Sequence, residues 1–484
     1  MKNIVIIGSG IGGSGVGALI AANSKHSVKI FEQNYWLGGR CGSYLKEDAM
    51  GRKWVCDVGT HIFGNCDKGF LGTILQKIGK EKAVEWSYCR NPGPRINFMG
   101  QIMRFGLKEV SNQPAEEKNH QDSRKKSFKD LLREISYEET HQYDDTPLID
   151  FLTQNSLDAY MYTLQAGLMF GTGPKITSAG EFLRCSKQNA ENMSMGYVKG
   201  GCRSIPNAYC QAVEENGGEV RISTKVNRII VKDGVATGVE AGPHNEYHEA
   251  DIVIANSDIK TTVLKLVGKE HFEKEYVERI QGLSWGGQVC SLKIGIDIQV
   301  TEDKWLNYVP IMNMEELKAA GFSNTEETKK EWTAEDVPSK CVLMIVPISN
   351  LDPDLAPPGC QNLHCATPTL GIAKDMKERI QMNKKWEECC MNTLLELWPQ
   401  IEGHVLWKDF VSDVFLETRL GKEGAGTGIG QVIGQVGRKR PSIITPIKNL
   451  YLAGGDAGGW GVGTELAANS ALELFSYFQS EKMI

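Results

Sequence analysis

The densest chemical signal in the chain is Gly8-Ser9-Gly10-Ile11-Gly12-Gly13, a G-x-G-x-x-G run with a further glycine at Gly17. Glycines at this spacing bring the unpaired N–H groups of a helix start up to a phosphate. Gly8 permits the tight turn, Gly10 the approach of a pyrophosphate, and Gly13 and Gly17 the close packing of a helix on a sheet. Glu32 follows Gly13 by nineteen residues. A carboxylate at that distance accepts hydrogen bonds from the hydroxyls of an adenosine ribose and repels a ribose phosphate. Gly38-Gly39-Arg40 comes next, and its guanidinium can neutralise the same diphosphate.

A second glycine loop lies at the far end of the chain. Gly454-Gly455-Asp456 is followed by Gly458-Gly459-Trp460-Gly461-Val462-Gly463-Thr464-Glu465. Two such loops so widely separated predict one long cofactor gripped at both ends. Asp456 would accept from ribityl or diphosphate-side hydroxyls. The N–H groups near Val462 and Gly463, at a helix start, would face the electron-poor edge of a flavin and stabilise the negative charge it carries when reduced. The expected cofactor is therefore FAD.

The elements that must position these loops follow from the pattern. Ile4–Ile7, Val28–Phe31, Ala250–Ala255 and Leu450–Ala453 are short apolar runs, as expected for parallel strands buried on both faces. A Lys232-Asp233-Gly234 turn between two alternating strands predicts a hairpin. The predicted fold is α/β: a Rossmann-type, glutathione-reductase-like FAD domain built from residues 1–75, 196–280 and 425–484. An α+β substrate or cap domain takes residues 76–195 and 281–424.

Together, Gly8–Gly17, Glu32, Gly38-Gly39-Arg40 and Gly455-Asp456 resemble the FAD-dependent amine oxidase and carotenoid desaturase superfamily. Asp352–Gly359, and Arg440-Pro441 leading to Thr445–Gly454, are similar to its phytoene desaturase-like branch. The resemblance implies an FAD-dependent oxidoreductase acting on C–C or C=C bonds, by desaturation, saturation or isomerisation, of an apolar unsaturated molecule such as an isoprenoid or carotenoid. It aligns Val226 with an adenine contact and places His61, in Asp57–His61, and Trp460 beside the flavin as candidate catalytic groups. The Gly458–Glu465 loop departs from the family's proline- and glycine-rich version. A flavin amine oxidase and a non-enzymatic prenyl-binding escort of the GDP-dissociation-inhibitor type stand as alternatives.

Composition narrows the remaining classes. The 484 residues carry 54 basic and 60 acidic side chains, a net charge of -6, so no nucleic-acid surface is expected. The thirteen cysteines include no C-x-x-C pair, so no metal is expected and the thiols should be reduced and buried. Ile4–Ala22 is uncharged but too glycine-rich for a spanning helix. A cytoplasmic protein is expected, its partners a small hydrophobic substrate and an external electron donor or acceptor. An amphipathic helix behind a Ser127–Asp130 cap, with Phe128, Leu131, Leu132 and Ile135 on one face, leaves room for peripheral membrane contact.

Overall fold

A computed structural model describes residues 1–59, 62–90, 93–104, 127–313, 331–369, 371–421 and 426–484. At its centre lies a five-stranded parallel sheet ordered Leu450–Leu452, Ile252–Ala255, Asn3–Ile7, Ser27–Phe31 and Glu219–Arg221. Ile4 pairs with Ile252 on one side and Val28 on the other, and Val253 pairs with Leu450. Strands from the two ends of the chain thus lie one strand apart.

The period-two alternation of side chains splits the first strand between two cores. Ile4 and Ile6 pack with Leu19 and Ile20 of helix Ile11–Asn23, with Leu474 and Phe478 of the terminal helix Thr464–Ser480, and with Tyr209 of helix Ser204–Glu215. Val5 and Ile7 pack on the other face with Ile229 and Val239 of a three-stranded antiparallel sheet, Val226–Lys232, Val235–Ala241 and Glu246–Glu249. Both faces are covered, which is why the strand reads Ile-Val-Ile-Ile without a polar break. Asp233 and Gly234 both take positive φ, +49° and +75°, the geometry of a tight hairpin turn. Helix Phe70–Lys77 straddles the domain boundary expected at residue 75, and its Leu71 and Ile74 belong to the first core.

The second lobe is built on a seven-stranded mixed sheet ordered 405–411, 288–296, 361–369, 343–347, 306–309, 95–98 and 101–104. Leu292 and Ile294 on one face meet Trp386 and Leu394 of helix Met376–Leu397. The opposite face grips the other lobe: Lys293 Nζ donates to Val58 O at 2.6 Å, and Asn362 Nδ2 donates to Val55 O at 2.9 Å. Burial pulls the Lys293 ammonium down to about 8.

A helical cluster completes this lobe. Helix Phe128–Glu134 forms behind Ser127, whose hydroxyl accepts the Asp130 N–H at 3.2 Å. Its Phe128 stacks on Phe182 with ring centroids 5.8 Å apart, and Leu132 is buried in the same core. The chain itself therefore covers that apolar face. Thirteen buried cysteines are all free. No helix among the described residues is long and apolar enough to cross a membrane.

The first helix crosses the C-terminal glycine loop backbone against backbone. A Cβ at Gly12 would lie 2.5 Å from Gly454 Cα and 2.6 Å from Gly454 N, and backbone cannot yield as a side-chain tip can. Gly12→Ala should cost about 1–3 kcal/mol by overpacking. Gly282→Ala, at a helix end with nothing within 4 Å, should be neutral or stabilising by up to about 1 kcal/mol. Urea unfolding of both variants reads the contrast, and equal midpoints would remove the crossing as a constraint.

Candidate functional site

The site forms where the two glycine loops meet. Both lie at the carboxyl ends of parallel strands, where open α/β sheets bind ligands. Asn256, directly after strand Ile252–Ala255, occupies the centre. Its N–H donates to Ile7 O at 2.9 Å and its Nδ2 donates to Gly8 O at 3.4 Å. A Cβ at Gly10 would meet Asn256 Nδ2 at 2.7 Å, and one at Gly12 or Gly454 would meet its Oδ1 at 2.8 or 2.6 Å. Gly10 is thus packed directly against the Asn256 side chain. Gly13 would drive a Cβ to 2.2 Å from Gly8 O, and Gly17 would press one on Ile6 and Ile30, so both serve helix-on-sheet packing. Ile11 opens the first helix and is buried in the core.

Charged groups line the same region. Glu32 ends the second strand, 4% exposed. One of its oxygens accepts Ser9 N and Oγ at 3.0 and 2.7 Å, and the other accepts Asn34 N and Nδ2 at 2.9 and 3.0 Å. A carboxylate accepts about four such bonds. Two of these donors are side chains, and the Ser9 hydroxyl also accepts the Gly38 N–H at 3.1 Å. Gly38 and Gly39, at φ +93° and +56°, turn the chain so that Arg40 crosses to the C-terminal loop, donating to Gly426 O. Burial lowers the Arg40 pKa, and the carboxylates of Asp456 and Asp258 oppose that. Asp456 accepts Ile429 N at 3.0 Å and Ile259 N at 3.2 Å. Gly455 lies beside Arg40, and a Cβ there would be 3.8 Å from Nη2.

The other candidates fall at different distances from this centre. Val226 opens the antiparallel sheet, buried with Val5, Ile7 and Phe31, two residues past Thr224, whose N–H donates to Glu32 O at 2.7 Å. Val462 precedes Gly463, the N-cap of the terminal helix, and nothing lies within 4 Å of a Cβ at Gly463. The side of Gly463 on which a Cβ would sit is therefore uncrowded, while Val462 packs on the helical cluster of the cap. Trp460 packs edge-on to Phe70 at 5.2 Å and against Tyr137 at 5.2 Å, with the helical cluster of the cap behind it. His61 lies outside the described residues. No group of three metal-ligating side chains occurs among the described residues.

Sequence reasoning missed Asn256, Glu465 and the bridge from Arg440. Arg440 Nε donates to Gly458 O at 2.8 Å and its Nη2 donates to Gly455 O. Glu465, in the first turn of the terminal helix, is 4% exposed, accepts Phe70 N at 2.6 Å, and leaves Oε1 without a partner. Asn256 and Glu465 stood within runs already singled out, but residue type alone gave no sign that their side chains turn inward.

Burial pushes the Glu465 carboxyl up to about 7. Its folded pKa exceeds the unfolded one, so the proton favours the fold. That stability is complete below pH about 4.5 and is lost as pH rises to about 7. At about 1.36 kcal/mol per unit the loss is about 3 kcal/mol. Glu465→Gln should therefore gain on wild type by roughly that amount between pH 4.5 and pH 8 in urea titrations. A pH-independent difference would mean that Glu465 does not titrate in this range.

Comparison with known proteins agrees with this geometry. Residues 18–341 match the family model of flavin containing amine oxidoreductases. The chain is 24% identical to an all-trans-retinol 13,14-reductase of Danio rerio, over 93% of this chain and 82% of that protein. It is 22% identical to a 4,4'-diapophytoene desaturase of Staphylococcus aureus, over 93% of each. The crystal structure of an oxidoreductase from Methanosarcina mazei shares the fold at TM-score 0.66 and 19% identity, covering 98% of this chain and 100% of that one. The helix start at Gly463, the interlocked glycine loops and the Arg40 guanidinium under the influence of the Asp456 and Asp258 carboxylates fit an extended flavin nucleotide. The chain belongs to the flavin containing amine oxidoreductases and is an FAD-dependent oxidoreductase.

Proposed function

We propose that the protein adds or removes hydrogen across a C–C/C=C bond of an apolar, conjugated small molecule of isoprenoid type. The observation that carries this reading is the pair of relatives similar over 93% of the chain, one named a reductase of retinol and the other a desaturase of diapophytoene. The two names describe opposite directions of one chemistry, so direction here follows the external electron donor or acceptor.

FAD supplies hydride transfer to or from carbon when bound. The loop Gly8–Gly13 and the start of helix Ile11–Asn23 would hold its diphosphate, with Gly39 and Arg40 contributing from the second glycine turn. Glu32 would accept from the ribose hydroxyls, and Val226 would wall the adenine. Gly455 and Asp456 would hold the middle of the molecule. The helix start at Val462 and Gly463 would stabilise negative charge on the reduced flavin. Trp460, Phe70 and Tyr137 form an apolar wall that keeps water from the reacting carbon. His61 is the candidate donor or acceptor of the proton that balances the hydride.

Three measurements test this. Purified protein should be yellow and release FAD on denaturation. Glu32→Arg, which sets a cation against the ribose hydroxyls and strips Ser9 of its acceptor, should lower FAD affinity at least about tenfold, equal to about 1.4 kcal/mol. Wild-type affinity would remove Glu32 from the site. Anaerobic photoreduction followed by reoxidation with polyenes, enones and amines then separates substrate classes. Reoxidation by polyenes or enones supports the reading. Reduction of the oxidised protein by amines, with polyenes and enones inert, would replace it with amine oxidation.

A further inference from the structure

The cap lobe holds a buried ion cluster that the hydride chemistry does not use. Helix Ala179–Asn192 begins at Ser178, whose hydroxyl accepts Glu181 N at 3.2 Å. Glu181 and Arg184 are each 1% exposed. Glu181 Oε2 accepts from Arg184 Nη2 at 2.7 Å and from Nε at 3.2 Å. Arg184 also donates to Asp144 Oδ1 at 2.7 Å and Thr140 Oγ1 at 3.1 Å, and its Nη1 lies 3.2 Å from His141 Nδ1. The sequence makes room for these charges with two glycines. A Cβ at Gly180 would lie 2.4 Å from Asp144 Oδ1, and one at Gly437 would lie 1.9 Å from Oδ2.

The remaining oxygen of Glu181 points out of the cluster. Oε1 accepts the Gly461 N–H at 2.9 Å, with the Cys185 thiol at 3.9 Å. Gly461 takes φ +133° and stands directly before Val462 and Gly463, where the terminal helix begins. Arg440 holds the same loop from its other end through Gly455 and Gly458. Buried ion pairs are poor sources of net stability, whereas fixing one arrangement among several is a use they can serve. The arrangement fixed here is the aim of a helix start.

We propose that Glu181 and Arg184 are positioning residues of the flavin site: a cap-borne ion pair whose outward carboxylate oxygen fixes the Gly461 amide, and through it the Val462–Gly463 helix start, against the ring. The proposal rests on FAD occupying the site. Both act through the Gly461 loop, and the cap lobe thereby tunes a cofactor bound by the other lobe.

Two explanations of any effect at Glu181 predict opposite signs. If the carboxylate only adds negative charge near the ring, removing it leaves Arg184 under-neutralised and favours the reduced, negative flavin. If it positions the loop, removing it turns the helix dipole away and favours the oxidised flavin. Holoenzyme of wild type, Glu181→Ala, Glu181→Gln and Arg184→Lys is compared by FAD content, visible absorption spectrum and midpoint potential. All variants should retain FAD, because the Gly8–Glu32 half is intact. Glu181→Ala should change the flavin band shape and shift the oxidised-to-reduced ratio at fixed potential about tenfold toward oxidised. Glu181→Gln, whose amide oxygen still accepts from Gly461, should restore most of the ratio. Arg184→Lys should fall between. A shift toward reduced, or a wild-type spectrum and ratio, overturns the proposal, and Arg184→Lys decides if Glu181→Ala does not fold. Wild-type protein without FAD would overturn the flavin reading itself, a result separable from any of these.

Discussion

The site depends on one contact of backbone with backbone. Gly12 lies so close to the Gly454 backbone that it admits no side chain, and Asn256 fills the angle between their loops and blocks one at Gly454. The contact joins strands separated by most of the sequence, at the edge where parallel strands end and helices begin. Every neighbouring polar group is placed relative to it: Glu32 one strand to one side, Asp456 beyond the other, and Arg40 across the gap. A ligand in this crevice is held from both ends of the polypeptide because the sheet order leaves no alternative.

Charge then joins what backbone has placed. Asp456 accepts amides at Ile259 and Ile429, two segments that would otherwise have no reason to meet. Arg440 binds two carbonyls of the C-terminal loop, and Lys293 binds Val58 O from the second lobe. Each is a long side chain reaching a backbone group in another segment, and each is buried, so breaking it strands a polar atom away from water. Interactions of this kind add little net stability when intact, but they exclude other arrangements of the loops. The cavity is therefore set by a few obligatory bonds within a larger apolar frame.

Much of this frame was legible in the residues. Ile4–Ile7 had to be a doubly buried strand, and the spacing from Gly13 to Glu32 required a helix and a second strand between them. Asp233-Gly234 required a hairpin, and Ser127 with Asp130 a helix cap. The pairing of lobes was not legible. The contacts of Lys293 with Val58 and of Glu181 with Gly461 link positions hundreds of residues apart, and no local period records them. The neighbour of Gly10 was hidden for a related reason. A glycine reports that space is needed without reporting for what, and here a side chain 246 residues later, Asn256, claims it. His61, the sequence's best candidate for a proton carrier, falls outside the described residues, so its assignment rests on the Asp57–His61 segment alone.

The division of labour between lobes explains how one fold serves reduction in one relative and desaturation in another. The parallel sheet and its glycine loops recognise only the cofactor, and nothing in their geometry depends on which way electrons flow. Direction is set by the electron partner and by the relative stability of oxidised and reduced flavin. That balance responds to the field along the Val462–Gly463 edge. In this chain the loop carrying that edge is bonded to the cap through Glu181, and the cap is also the lobe that must shape itself to a substrate. Changes in the cap can therefore adjust the substrate cavity and the redox balance together, without disturbing the nucleotide grip.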